Sequence, residues 1–129
     1  AIAYVGKDAK IQTLGWCFGG GWSLQATILA AKQSQGCVMY YGMPEKDSQK
    51  IKSISAPVLG LFASQDGWIT KDIVAEFEKS MKDNKKEIQV EFFDAQHAFA
   101  NPSNPKYNKE AAAIAHQMAL DFLKKNLGN

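Results

Sequence analysis

The chain has 129 residues, 46% of them apolar, and a formal net charge of +2, enough for one folded domain with a core and too little for two ordinary ones. All fifteen positive side chains are lysines spread along the sequence, which argues against a concentrated nucleic-acid footprint and rules out arginine clamps on a carboxylate or phosphate. No apolar run approaches the ~20 residues of a membrane span, and Ala1-Ile2-Ala3-Tyr4 lacks the charged segment and long apolar run of a signal peptide, so the reading is a cytoplasmic protein without a membrane partner.

Residues 10–16 read as a first strand. It runs into Gly15-Trp16-Cys17-Phe18-Gly19-Gly20, a cysteine with glycine two positions before and two after it. That is the layout of a nucleophile elbow, a sharp strand-to-helix turn whose crowded backbone accepts only small residues at those two places. Residues 20–33, rich in Ala and Leu, follow as a helix. Phe18-Gly19-Gly20-Gly21 also suits a phosphate cradle, but the Lys-Ser/Thr of a P-loop is absent. A second strand covers 36–41, closed by Gly42 and Pro44, and 46–54 is a polar short helix or loop.

Residues 57–63 are apolar on both faces, as a central parallel strand should be, and end at Ser64-Gln65-Asp66-Gly67. Thr70 is placed to cap a helix over 71–84 that carries Val74, Phe77 and Met81 on one face. The strand at 88–93 alternates more and belongs nearer a sheet edge. Ala95-Gln96-His97-Ala98-Phe99 follows it, and a loop with Pro102 and Pro105 leads to a terminal helix over 109–126. The alternation predicts an α/β protein of about four mainly parallel strands with flanking helices, with no repeat or linker dividing residues 1–129.

Cys17, Asp66 and His97 each follow the end of a separate predicted strand, the sheet edge where α/β proteins build their sites. Alone, Cys17 would read as a small buried residue, Asp66 as a turn former and His97 equally as a packed or a functional histidine. Together they supply what thiol chemistry requires: a nucleophile, an imidazole to take its proton, and a carboxylate to orient that imidazole and stabilise its charged form. A depressed Cys17 pKa is expected, together with preferential modification over Cys37, which sits inside a strand. The two cysteines indicate neither a disulfide framework nor a metal motif. Trp16 and Trp68 flank the motifs as candidate walls of an acyl pocket, and Tyr40, Tyr41 and Met43 lie on the same edge. Core packing is expected for Trp22, and a surface position for His116.

Gly15-Trp16-Cys17-Phe18-Gly19-Gly20, Phe62-Ala63-Ser64-Gln65-Asp66 and Gln96-His97-Ala98-Phe99-Ala100-Asn101-Pro102 resemble three segments of the dienelactone hydrolase family, in the same order and separation. The resemblance runs from about Ala9 to the C-terminus. It implies the C-terminal half of an α/β-hydrolase fold, lacking the N-terminal strands, and hydrolysis of a small ester or lactone through a thioester on Cys17, without metal or organic cofactor. The Phe18 N–H would be one oxyanion donor; the family takes the second from a loop after an early strand. Members that open dienelactones place an arginine where Asn101 stands, so Asn101 is the substrate-binding counterpart without the charge, and a less charged ester is implied. The unpaired edge of the first strand calls for a homodimer or higher oligomer. The rival readings are a catalytically impaired fragment or non-catalytic binding or assembly module, and a flavodoxin-like ligand-binding domain, the latter leaving the His97 segment unexplained.

Overall fold

The computed structural model describes residues 1–127. A short helix α1 (Ile2–Val5), which nothing in the sequence pattern announced, precedes β1 (Ile11–Trp16), α2 (Phe18–Ala30), a 3-10 turn (Ala31–Gln33), β2 (Ser34–Tyr40), α3 (Ser48–Lys52), β3 (Val58–Ala63), α4 (Lys71–Asp83), β4 (Ile88–Phe93) and α5 (Lys109–Asn126). The four strands form one parallel sheet in the order β1-β2-β3-β4. Their C-terminal ends therefore lie along a single edge, which is what brings three distant sequence segments together.

Side-chain alternation sends each central strand's residues to two cores. On one face, Cys37 and Met39 of β2 and Val58 and Phe62 of β3 pack with Leu24 of α2 and with Val74, Phe77 and Met81 of α4. On the other, Val38, Tyr40, Leu59 and Leu61 pack with Ala111, Ala115 and Ala119 of α5. The alanines let α5 lie close to the sheet. Every residue of β3 is buried, in agreement with its continuous apolar run, whereas β4 alternates and forms one edge.

The predicted Thr70 cap holds, and Asn108, which the sequence pattern did not single out, caps α5 in the same way. Thr70 accepts a hydrogen bond from the Ile73 N–H at 3.4 Å, and Asn108 accepts one from the Ala111 N–H at 3.0 Å, each satisfying an amide that the helix itself leaves unpaired. The buried side of α2 comprises Gly20, Ser23, Leu24, Thr27 and Ala30. At 100° per residue this turns Trp22 and Leu29 outward, and they are 58% and 76% exposed. The expectation that Trp22 packs in the core is therefore overturned. Because α2 is apolar on nearly all sides, its periodicity did not reveal which face meets the sheet.

Candidate active site

Cys17 sits between the last residue of β1 and the first of α2, with φ 54° and ψ −124°, a conformation that side-chain-bearing residues rarely adopt. The elbow is fixed from both sides: the Cys17 N–H donates to the Tyr40 carbonyl at 3.0 Å, and the Cys17 carbonyl accepts from the Gly20 N–H at 2.9 Å. A Cβ on Gly15 would run into the Gly19 carbonyl, and one on Gly20 would stand 2.7 Å from the Tyr40 oxygen. At Gly19 a Cβ would meet nothing within 4 Å. The steric demand thus falls on Gly15 and Gly20, not on the symmetric pair that the motif suggested.

Asp66 and His97 reach the same edge from the ends of β3 and β4. Asp66 Oδ1 accepts from the Trp68 and Ile69 N–H groups at 2.8 and 2.9 Å, and Oδ2 lies 2.6 Å from His97 Nδ1. The side chain is 1% exposed against 23% for His97, so the carboxylate is locked while the imidazole is open on one side. An ionised carboxylate only accepts, which puts the imidazole proton on Nδ1 and leaves Nε2 as an acceptor. That nitrogen is 3.4 Å from Cys17 Sγ. The His97 ring is flanked by the rings of Tyr41 and Trp68, with centroids 5.0 and 5.7 Å away.

Backbone strain gathers here. Of the five non-glycine residues with positive φ among the described residues, Cys17, Tyr41 (φ 35°) and Ala98 (φ 68°) stand at the site, where the surrounding packing has to hold them. Phe18 opens α2, and its N–H has no carbonyl partner within the helix; it bears on the Cys17 sulfur and lowers the thiol pKa. That contribution is outweighed. Desolvation by burial, and after it the negative charge of Asp66, hold the Cys17 thiol above its ordinary value, so the depressed pKa expected from the sequence is corrected in direction.

The resting site therefore holds Cys17 as a thiol, with transfer of its proton left to the reaction itself. The alkylation rate of Cys17 by iodoacetamide should consequently keep rising with pH beyond the usual thiol range. Cys37 is fully buried, with its own thiol pushed up mainly by burial, and should remain unlabelled in the folded protein. Peptide mapping checks both, and equal labelling of the two cysteines would contradict the site.

Beside Cys17 lies a cavity of about 380 Å³, lined by Cys17, Phe18, Gly21, Trp22, Gln25, Tyr41, Met43, Pro44 and Trp68, within the size range of small-ligand sites. Of the proposed pocket residues, Trp68 lines it and Trp16 does not; the Trp16 ring stacks on Tyr40 at 5.2 Å. Asn101 is also outside the lining, and its side-chain oxygen accepts from the Ser103 N–H at 3.0 Å. Trp22 and Gln25 are lining residues that sequence reasoning missed. Their i, i+4 and i+7 spacing from Phe18 along α2 was the available signal. Among the described residues, no three His, Cys, Asp or Glu side chains gather as metal ligands, and no helix is long and apolar enough to cross a membrane.

Residues 1–127 match the sequence model of the dienelactone hydrolase family. A putative carboxymethylenebutenolidase of Saccharolobus solfataricus is 33% identical over 97% of this chain and 49% of its own length. The carboxymethylenebutenolidase of Pseudomonas sp. strain P51 is 28% identical over 92% of this chain and 49% of its own length. The chain thus spans about half the length of these relatives. A solved structure of a putative dienelactone hydrolase from Klebsiella pneumoniae superposes with a TM-score of 0.79 at 23% identity, over 84% of this chain and 49% of the other, which establishes the likeness of fold.

Proposed function

The chain belongs to the dienelactone hydrolase family, and from that premise we propose that it hydrolyses a carboxylic ester or lactone, with Cys17 as nucleophile, His97 as general base and acid, and Asp66 as the orienting carboxylate. The observation that carries this reading is the unbroken line of contacts from Cys17 Sγ through His97 Nε2 and Nδ1 to Asp66 Oδ2, at 3.4 and 2.6 Å.

The sulfur attacks the carbonyl carbon as its proton passes to Nε2, and Asp66 stabilises the imidazolium that forms. The tetrahedral oxyanion accepts a hydrogen bond from the Phe18 N–H. Collapse expels the alcohol oxygen, which takes the proton back from Nε2 and leaves a thioester on Cys17. Water, losing its proton to Nε2, then attacks the thioester; collapse releases the acid and returns the proton to the sulfur. The test is turnover of 4-nitrophenyl acetate together with the mass of the trapped acyl-enzyme. An acetyl group on Cys17 supports the mechanism. Turnover without one, or turnover that survives loss of Cys17, would point elsewhere.

The aromatic and apolar cavity wall, with no cation among its lining residues, favours an uncharged acyl group over a carboxylate-bearing dienelactone. We also propose that the chain pairs with a second copy through β1. That strand ends the sheet with Leu14 and Trp16 43% and 45% exposed, and Leu29, 76% exposed on the outward side of α2, adds to the open apolar surface. Such an edge invites association. Light scattering should give at least twice the chain mass, and a monomer at every concentration would refute the pairing.

A further inference from the structure

We propose that the end of the cavity farthest from Cys17 is a hydrogen-bond-accepting subsite, built from Gln25 and Glu45, that selects esters whose elongated, uncharged, largely aromatic acyl group ends in a hydroxyl or N–H donor. This rests on the ester-hydrolase reading above and adds the class of acyl group. Among the described residues, Gln25 is the one amide side chain in a lining that is otherwise apolar or aromatic apart from the Cys17 thiol and the Tyr41 hydroxyl. It follows Phe18, the first residue of α2, by seven residues on that helix, about 10 Å along the axis at 1.5 Å per residue. A ligand reaching it must cross Phe18 and Trp22.

Gln25 is held in one orientation. Its Nε2 donates to Glu45 Oε2 at 2.6 Å, while Glu45 Oε1 accepts from the Lys46 and Asp47 N–H groups, each at 3.0 Å. Lys50 Nζ stands 3.7 Å from Oε2. Burial pushes the Glu45 carboxyl up, but these hydrogen bonds and Lys50 outweigh it and hold the group below the usual carboxylate range. A carboxylate accepts and does not donate, so the amide must turn its NH2 toward Glu45 and keep Oε1 as the acceptor for a ligand. The negative charge behind the amide disfavours a second carboxylate in the cavity.

The occupant is the acyl side of the substrate. His97 protonates the leaving oxygen, so the alcohol lies beside His97, which is not among the cavity-lining residues. The group that extends along α2 is the one left on the sulfur.

The test compares kcat/KM for the 4-nitrophenyl esters of 3-phenylpropanoate, 3-(4-hydroxyphenyl)propanoate and 3-(4-carboxyphenyl)propanoate. The hydroxyl ester should exceed the unsubstituted one by about three- to tenfold, with the carboxylate ester lowest. In Gln25→Met the ratio of hydroxyl to unsubstituted ester should fall toward one. In Glu45→Gln, where the amide is free to reverse, the ratio should shrink and the carboxylate ester should gain. Equal turnover of the first two esters by the unmodified chain, preference for the carboxylate, or a ratio that survives Gln25→Met would overturn the subsite while leaving the hydrolase reading intact. No turnover of any ester would sink that reading and the subsite with it. Should Gln25→Met fail to fold, the unmodified chain and Glu45→Gln still decide.

Discussion

Cys17→Ala is expected to lower kcat for aryl ester hydrolysis by at least about 10⁴-fold, the scale on which a nucleophile that works as a unit with its base is lost. In the proposed mechanism the sulfur is the atom that bonds to the acyl carbon, and no other thiol or hydroxyl is hydrogen-bonded to His97 Nε2 among the described residues. The half-buried thiol contributes little packing, and alanine keeps the same Cβ on the strained elbow. The denaturation midpoint should therefore change by no more than about 1 kcal/mol in stability, which separates loss of chemistry from loss of fold. Initial rates and a urea titration on the same preparation make the comparison. A variant retaining a tenth of the parent rate would remove Cys17 from the mechanism.

Asp66→Asn should reduce kcat by roughly 10³- to 10⁴-fold through the tautomer of His97 rather than through geometry. Asparagine can keep Oδ1 as acceptor for the Trp68 and Ile69 N–H groups, which the carboxylate now binds at 2.8 and 2.9 Å. Its NH2 then faces Nδ1, where Oδ2 stood at 2.6 Å. The imidazole proton is driven to Nε2, toward the sulfur, and the base can no longer take the thiol proton.

A second readout moves the opposite way. The Asp66 charge is one of the causes, after burial, that hold the Cys17 thiol high. Removing it should shift the alkylation profile of Cys17 to lower pH, so that the thiolate forms more readily even as turnover collapses. A purely structural role for Asp66 would slow both. Turnover and alkylation falling together would count against the orienting role.

Much of this was legible along the chain. The continuous apolar run of β3, the Thr70 cap and the three-residue face of α4 are products of local chemistry, since period, capping and chirality act over a few residues. The same holds for the elbow, where a cysteine in a glycine frame between strand and helix has few other uses. Cys17, Asp66 and His97 could be assigned to one edge because parallel strands joined by helices must end on the same side.

Other features depend on what burial and neighbouring elements do. Trp22 faces outward because the sheet contacts the side of α2 bearing Gly20, Ser23, Leu24 and Thr27, a choice that an almost uniformly apolar helix does not reveal. The crowding at Gly20 comes from Tyr40, twenty residues on. Trp16 leaves the cavity for Tyr40 because successive residues of a strand point to opposite faces.

By itself, then, the sequence determined the order of elements from β1 onward, the elbow and the three residues proposed for thiol chemistry, because each is encoded in short-range pattern. The tertiary structure alone decided the direction of the Cys17 pKa and the pairing of Gln25 with Glu45. Desolvation and charge act through space, between groups that the chain keeps far apart until it folds.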